Sequence, residues 1–328
     1  MQQRSSGWLG AVAAYISMRI AVFRQTPDQV FRRNPGDRSL VGPYPVKDEA
    51  LADWQFALLS VAAYGRSAPK RPPAPAGTTV GMVMHSFSTL TRKQVPPPVP
   101  NVDAELEAAG WKLWTEFPDV TLENQMRRSH LRAEVWERRE PLALAVAFGG
   151  TVFTSGKDWR SNLRWFIPFH TDEYTEIVRR FGPEFFEALA TLRQNPATAY
   201  LKDATIYSTG HSLGGGLAQQ FAYSMPKDAN DPKVTEVYAF DPSPVTGYYS
   251  VKPEIRNRNK IGLKIARIYE RGEILAILRS LTSLLMRPSS VNPEIRGARF
   301  SLFYTWNSIA GHSIVELAEQ LATIARAK

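Results

Sequence analysis

The most constraining feature of this sequence is a serine flanked by glycines, in Gly-His-Ser-Leu-Gly at residues 210–214. An apolar run precedes this segment and a helical pattern follows it. A serine at the tip of a tight strand-to-helix turn has strained backbone angles, and small residues are needed two positions before and after it. Gly210 and Gly214 meet that need. The sequence therefore predicts a nucleophile elbow at Ser212.

The chemistry expected at Ser212 is acyl transfer. The helix that follows directs its free N–H groups and the positive end of its dipole at negative charge that develops beside the serine. In this architecture the partners follow the serine along the chain, in the order serine, acid, histidine. His312 is the single histidine after the elbow. We expect it to take the serine proton and to return it to the leaving group.

Two carboxylates are candidates for the acid. Glu273 follows a strand-like run at residues 263–269 after a short turn. Asp241 directly ends another strand-like run, at residues 235–240. At a strand end, either carboxylate could orient the imidazole and stabilise its cation. The residue pattern leaves both candidates open.

Four sequence blocks resemble the class 3 lipases, an α/β-hydrolase family of triacylglycerol lipases and related esterases and phospholipases. They are Ala-Phe-Gly-Gly-Thr at residues 147–151, Lys-Asp-Trp at residues 157–159, Gly-His-Ser-Leu-Gly-Gly at residues 210–215 and Arg-Ile-Tyr-Glu-Arg-Gly-Glu-Ile at residues 267–274. The elbow block is the most specific of the four. The resemblance implies an α/β-hydrolase fold, with a mostly parallel central sheet and helices on both faces.

The resemblance also implies roles for individual residues. It makes Thr151 and the backbone N–H of Leu213 the two donors of an oxyanion hole. It favours Glu273 as the acid because the whole block around it aligns, although the family has an aspartate there. Asp241, followed by proline, resembles the acid of the pancreatic-type lipases and stays the alternative. Gly149 stands where the family has an arginine, so the contacts that brace the oxyanion loop must come from elsewhere.

A lid follows the oxyanion block in the resembled family. Here that position is taken by residues 155–168, which are dense in large apolar side chains. We expect Gly156 to act as a hinge while Trp159, Trp165 and Phe166 alternately cover the site and enter lipid. Permanent burial of these aromatic side chains is the alternative.

The chain divides into two predicted regions. Residues 1–100 form an N-terminal extension that packs on a hydrolase domain at residues 101–328. Within the extension, residues 20–50 are arginine-rich and predicted to be irregular, and residues 50–64 have helical spacing. Its proline-rich segments, which indicate loops, are residues 69–75 and 96–100.

Patterns in the second region predict alternating strands and helices, and hence a mostly parallel sheet covered on both faces. Alternation is typical of an edge strand, and a continuous apolar run of a buried one. The expected elements are an edge strand at 129–138, a buried strand at 142–148, a helix at 174–193, a strand at 299–306 and a helix at 314–327.

The charge of the chain indicates an anionic partner. Lysine and arginine number 40 against 31 acidic residues, which gives a formal net charge of +9. Between Lys252 and Arg299, eleven basic residues oppose four acidic ones, and leucines such as Leu281 lie among them. We expect peripheral contact with an anionic membrane; leucines packed on the core beside solvated arginines are the alternative. A nucleic-acid partner is disfavoured because no recognition motif is evident.

Composition leaves the compartment open. The apolar stretch at residues 8–18 is too short to span a bilayer, so we expect no integral membrane protein. A signal peptide and an amphipathic helix both fit this stretch. Without cysteine there is no disulfide and no thiolate metal site, which suits the cytosol as well as an exported or effector-delivered protein.

Two function classes follow from these features. The first is a serine carboxylester hydrolase acting on lipid esters, a lipase or phospholipase, with no cofactor and no metal. The second is a non-catalytic hydrolase-fold protein that binds lipid or serves as a scaffold. The intact serine and histidine favour the enzyme. The acyl chain, the headgroup and the oligomeric state are not determined by the sequence.

Overall fold

The computed structural model describes residues 24–65, 101–150, 172–271, 289–302 and 313–327. Their strands are β1 Gln29–Arg33, β2 Val41–Pro45, β3 Trp111–Leu113, β4 Ala133–Arg138, β5 Ala143–Phe148, β6 Thr205–His211, β7 Val234–Phe240, β8 Lys264–Glu270 and β9 Glu294–Phe300. Their α-helices are α1 Val46–Gly65, α2 Val102–Ala108, α3 Val120–Arg128, α4 Asp172–Glu176, α5 Gly182–Gln194, α6 Leu213–Ser224, α7 Pro253–Asn259 and α8 Ile314–Arg326.

The described strands form a nine-stranded sheet in the order β2-β1-β9-β8-β7-β6-β5-β4-β3. The five central strands, β5 to β9, run parallel, and the two strands on each side pair antiparallel. Every residue of β5 is buried, as a strand covered on both faces requires. The carboxyl ends of the central strands therefore meet at one edge of the sheet, where α/β folds carry their sites.

Helices cover both faces of this sheet. On one face, α5 and α6 enclose a cluster of aromatic rings that includes Phe148, Phe181 and Phe221. On the other face, α1 and α8 pack against each other and bury a second cluster, which includes Leu58 and Leu317. The predicted α/β-hydrolase class of fold, with a parallel central sheet between two helical layers, is confirmed.

The prediction of irregular structure at residues 20–50 is wrong for residues 29–33 and 41–50. Two short strands lie there, and β1 continues the sheet by pairing antiparallel with β9. Val30 and Phe31 are fully buried in β1, whereas β2 is mostly exposed and contains two prolines. An outermost strand tolerates proline because one of its sides needs no sheet partner. These strands were missed because two apolar residues among arginines give no readable alternation.

Four other elements differ from their predicted bounds or positions. The helix expected at 50–64 is present as α1 and begins four residues earlier. The strand expected at the edge, β4, lies inside the sheet, because the three-residue strand β3 pairs with its outer side. The helix expected at 174–193 is interrupted by a π-helical turn at Ile177–Phe181. Strand β9 ends at Phe300, and residues 303–306 of the expected strand lie outside the described residues.

The N-terminal region is part of the same sheet as the predicted hydrolase domain. The described part of residues 1–100 contributes two strands to the common sheet and a helix to its cover. The boundary at residue 100 stays a prediction. Among the described helices, none combines the length and the apolar character needed to cross a bilayer.

Candidate active site

Ser212 lies at the tip of the turn between β6 and α6. Its backbone angles are φ 57° and ψ −121°, a conformation that L-residues rarely adopt and that costs on the order of 1–3 kcal/mol. Two hydrogen bonds hold it in place. Its N–H donates to the carbonyl oxygen of Phe240 over 2.9 Å, and its own carbonyl oxygen accepts from the N–H of Ser243, also over 2.9 Å. The strain is therefore maintained by the neighbouring strand β7.

The two glycines around Ser212 permit close contact between strand and helix. A Cβ atom on Gly210 would meet the carbonyl group of Gly214. One on Gly214 would meet the carbonyl oxygen of Phe148, at the end of β5. Both obstacles are backbone atoms, which cannot move aside as a flexible side chain does. Any larger residue at either position would push the serine out of its turn.

Leu213 is the first residue of α6, so its N–H lies among the first-turn donors at the positive end of the helix dipole. Further along this turn, the N–H groups of Gly215 and Gly216 reach back to the carbonyl oxygen of Ser212, at 3.1 and 3.4 Å. These two N–H groups are therefore engaged within the turn, and the positive end of the helix dipole lies beside the serine. An anion that forms at the serine would meet a favourable electrostatic environment.

Asp241, the alternative acid, lies directly after β7 and beside the elbow. The side chain is fully buried, and its φ of 39° is again unusual for a residue with a side chain. Its N–H donates to Ile268 over 2.7 Å, and its Oδ1 accepts from the N–H of Glu270 over 3.1 Å. The carboxylate is therefore held against the end of β8. Its fixed position at the carboxyl edge is what a triad acid would need.

Glu270 is a second buried carboxylate at this edge, and sequence reasoning gave it no role. It is the last residue of β8 and only 1% exposed. Its Oε2 accepts from the N–H of Leu302, over 3.1 Å. The strand-like run was predicted to end one residue earlier, so the glutamate was assigned to a turn. In β8, Ile268 and Glu270 are buried and the residue between them is not fully buried. Extending the predicted strand by one residue would have placed Glu270 on the buried face.

The other predicted site residues lie outside the described residues: Thr151, Glu273, His312 and the lid segment 155–168. Their neighbours along the chain are described. Ser313 caps the N-terminus of α8, its Oγ accepting from the N–H of Glu316 over 3.4 Å. Leu302, held by Glu270, precedes the segment 303–312 that contains His312. Leu302 therefore lies at the carboxyl edge of the sheet.

The space beside Gly149 is filled by the end of α1. A Cβ atom on this glycine would lie 2.6 Å from the carbonyl oxygen of Ala63 and 3.0 Å from the Cβ of Arg132. The arginine of the resembled family therefore has no room here. Arg132 lies alongside instead, where its Nη1 donates to the carbonyl oxygen of Tyr64 over 3.1 Å and its carbonyl oxygen accepts from the N–H of Gly149 over 3.0 Å.

Tyr64, near the end of α1, reaches the elbow from this side. Its hydroxyl lies 2.8 Å from Nδ1 of His211 and donates to the His211 carbonyl oxygen over 3.3 Å. Burial raises the pKa of Tyr64 far above its ordinary value, so the phenol is neutral at every physiological pH. Sequence reasoning placed this residue in a helix and gave it no role. No local signal could have found it, because its partners are 147 positions away.

Among the described residues, no group of histidine, aspartate and glutamate side chains is arranged to hold a metal ion. The groups that the structure brings together are a strained serine, backbone donors at the start of a helix, and buried carboxylates at the ends of neighbouring strands. These groups suit nucleophilic attack on a carbonyl carbon followed by proton transfer.

Residues 98–231 match the family model of the Tle-like phospholipase domain. Over these residues the chain is similar to that phospholipase domain. The matched segment is less than half of the chain, and it includes β3 to β6, the elbow and α6. The match agrees with the resemblance to class 3 lipase-like proteins that the sequence blocks predicted. No curated protein matches the chain.

Similar solved structures are fungal lipases. The native Rhizomucor miehei lipase propeptide complex is 15% identical, with 87% of this chain and 79% of that chain covered and a TM-score of 0.41. A fungal lipase–inhibitor complex, described as a model for interfacial activation in lipases, is 15% identical over 68% of this chain and 72% of that chain, with a TM-score of 0.37.

Proposed function

We propose that this protein is a serine hydrolase of lipid esters with Ser212 as its nucleophile. The observation that carries the proposal is the strained Ser212 turn, at the carboxyl edge of the sheet and within the segment that matches a phospholipase-like domain. A backbone conformation this costly persists where the surrounding structure enforces it, and such positions cluster at functional sites.

The proposed reaction proceeds through an acyl-enzyme. Ser212 Oγ attacks the ester carbonyl carbon while His312 accepts its proton, and the resulting oxyanion is held by the N–H of Leu213 and by Thr151. The C–O bond to the alcohol breaks, and His312 gives the alcohol its proton. A water molecule, deprotonated by His312, then attacks the acyl carbon. The bond from that carbon to Ser212 Oγ breaks, His312 returns the proton to Oγ, and the fatty acid is released.

Glu273 and Asp241 are the proposed alternatives for the acid that orients His312. Support for Glu273 comes from the alignment of its sequence block with the resembled family. Support for Asp241 comes from its burial beside the elbow and its hydrogen bond from the N–H of Glu270. A buried carboxylate fixed by a backbone donor is well suited to hold an imidazole in one orientation.

The proposed substrate is a phospholipid, because the description of the matched family favours it over a glyceride. The test uses purified protein, vesicles of phosphatidylglycerol and phosphatidylcholine, p-nitrophenyl butyrate and a fluorophosphonate probe. Ser212→Ala should lower turnover by roughly a thousandfold or more and abolish labelling.

A matched control for that test is Ser224→Ala, which removes a buried hydroxyl at the other end of α6. It should keep wild-type turnover and labelling. Labelling that persists in Ser212→Ala would refute the assignment of the nucleophile. A wild-type protein that binds the vesicles but neither hydrolyses an ester nor takes up the probe would instead be the lipid-binding protein of the second function class.

Peripheral contact with an anionic membrane is proposed for the basic stretch at residues 252–299. Among its described residues, α7 places Arg256 4.6 Å from the ring of Tyr248 and 5.4 Å from that of Tyr249, and Tyr249 is largely exposed. Leu281 and its neighbours lie outside the described residues. An exposed aromatic ring beside an arginine is suited to the headgroup region.

This contact predicts that binding of Ser212→Ala to phosphatidylglycerol vesicles weakens as salt is added, since salt screens exposed charges. Sedimentation of the vesicles measures the bound fraction without interference from hydrolysis. Phosphatidylcholine vesicles are the control and should bind less protein. Equal binding to both lipids at low and high salt would contradict an electrostatic contact.

A further inference from the structure

The hydroxyl of Tyr64 lies where two parts of the candidate site come together. On one side is His211, the residue before the nucleophile, which contacts the hydroxyl through both its Nδ1 and its carbonyl oxygen. On the other side is Gly150, the residue before the proposed oxyanion donor Thr151. A Cβ atom on Gly150 would meet the Tyr64 hydroxyl and would lie 2.7 Å from the carbonyl oxygen of His211.

The contact between Gly150 and Tyr64 is also electrostatic. The backbone of Gly150 favours the ionised phenol and offsets part of the rise that burial causes in the pKa of Tyr64. The hydroxyl therefore has Gly150 on one side and, on the other, the His211 carbonyl oxygen as an acceptor for its proton. One neutral hydroxyl connects the end of β5 to the end of β6.

Tyr64 is itself held at its backbone. Arg132, just before β4, donates from Nη1 to the Tyr64 carbonyl oxygen over 3.1 Å. Arg132 also accepts the N–H of Gly149 on its own carbonyl oxygen. The tyrosine is thus held by hydrogen bonds at both its main chain and its hydroxyl. A shift of Tyr64 would therefore also shift the residues that directly follow β5.

We propose that Tyr64 is a positioning residue that locks the oxyanion loop after Phe148 to the nucleophile elbow, in place of the arginine that Gly149 has no room for. The inference rests on the proposed function. Oxyanion donors contribute most when they are already in place before charge develops, and a small displacement is costly. Removing the Tyr64 hydroxyl leaves the nucleophile intact and loosens the loop beside it.

The test compares Tyr64→Phe with the wild type in hydrolysis of p-nitrophenyl butyrate, with active sites titrated by the fluorophosphonate probe. The variant keeps the ring and loses only the oxygen. We expect kcat per titrated site to fall roughly 10- to 100-fold, while KM changes by less than about threefold, because the hydroxyl acts on the transition state rather than on substrate binding. The second-order rate of probe labelling should fall with kcat.

Tyr200→Phe is the matched control. Its hydroxyl donates to Glu137 over 2.8 Å, and it lies in the turn before β6, at the opposite end of that strand from the elbow. This variant should keep the wild-type kcat. A second variant, Arg132→Gln, releases the Tyr64 carbonyl without altering the phenol and should lower kcat per site in the same direction, by a smaller factor.

The outcomes separate this inference from the proposed function. If the wild-type protein neither hydrolyses esters nor reacts with the probe, both the proposed function and this inference are refuted. An active wild type with an unchanged kcat per titrated site in Tyr64→Phe would overturn the inference alone, and would leave the tyrosine a role in folding only. Should Tyr64→Phe fail to fold, an unchanged kcat per site in Arg132→Gln would overturn it equally.

Discussion

Buried carboxylates occur in two regions of this protein, and they are stabilised in different ways. At the carboxyl edge of the sheet, Asp241 and Glu270 accept hydrogen bonds from backbone N–H groups. Between α1 and the sheet, Asp53 and Glu49 instead face Arg296, at 3.2 and 2.7 Å. Both kinds of donor orient a carboxylate, and an arginine also offsets its charge. The first arrangement suits a site and the second suits a core.

The region between α1 and the sheet is a network rather than a single pair. Glu49 also meets Arg32 of β1 over 2.6 Å, and Glu236 of β7 lies 4.0 Å from Arg296. The network joins α1 to strands β1, β7 and β9. Substitutions there should therefore act on stability, and substitutions at the carboxyl edge should act on catalysis.

The largest expected effect concerns the acid at the carboxyl edge. If Glu273 orients His312, Glu273→Gln should lower kcat by roughly 10³- to 10⁴-fold with normal melting, and Asp241→Asn should lower it much less. Ester hydrolysis and thermal melting of both variants measure this. The reverse ranking would assign the acid to Asp241, and small equal effects would mean that neither residue belongs to the triad.

A smaller effect is expected on stability from the second region. Arg296→Gln removes the arginine from buried Asp53 and leaves Glu49 with Arg32 alone. At pH 8 it should lower the free energy of unfolding by about 3 kcal/mol or more. The kcat per titrated site should not change. Urea denaturation followed by fluorescence measures the loss.

The matched control for Arg296→Gln is Arg326→Gln, which breaks an exposed pair with Glu105 and should cost about 1 kcal/mol or less. Equal losses in the two variants would remove the contrast between a buried network and a surface pair. A reduced kcat per site in Arg296→Gln would show instead that the two regions are coupled.

The last expected effect is on the pH dependence of stability. Burial raises the pKa of Asp53 from 3.8 to about 7, with Arg296 opposing the rise. The folded state then holds a proton that the unfolded chain has lost, so this contribution to stability is complete below pH 3.8 and is lost as the pH rises through 7. Asp53→Asn should flatten this fall of the free energy of unfolding. An identical pH slope in both proteins would contradict the raised pKa.

Local features of the sequence predicted the elbow, because strand, turn and helix are adjacent and the glycines that allow their contact are within two positions of Ser212. The central strands and α1 were likewise readable from apolar periodicity. The short strands β1 and β2 were not, since β1 pairs with β9, which lies far along the chain, and two apolar residues carry no period.

What the sequence determined by itself is the class of fold and the identity of the proposed nucleophile, since both depend on neighbours along the chain. Tertiary structure alone decided what surrounds that nucleophile. Tyr64 meets His211 across 147 positions, and Arg296 meets Asp53 across 243. The end of α1 excludes any side chain at Gly149. Such contacts depend on how helices close over the sheet, and no local pattern encodes the distance between two packed surfaces.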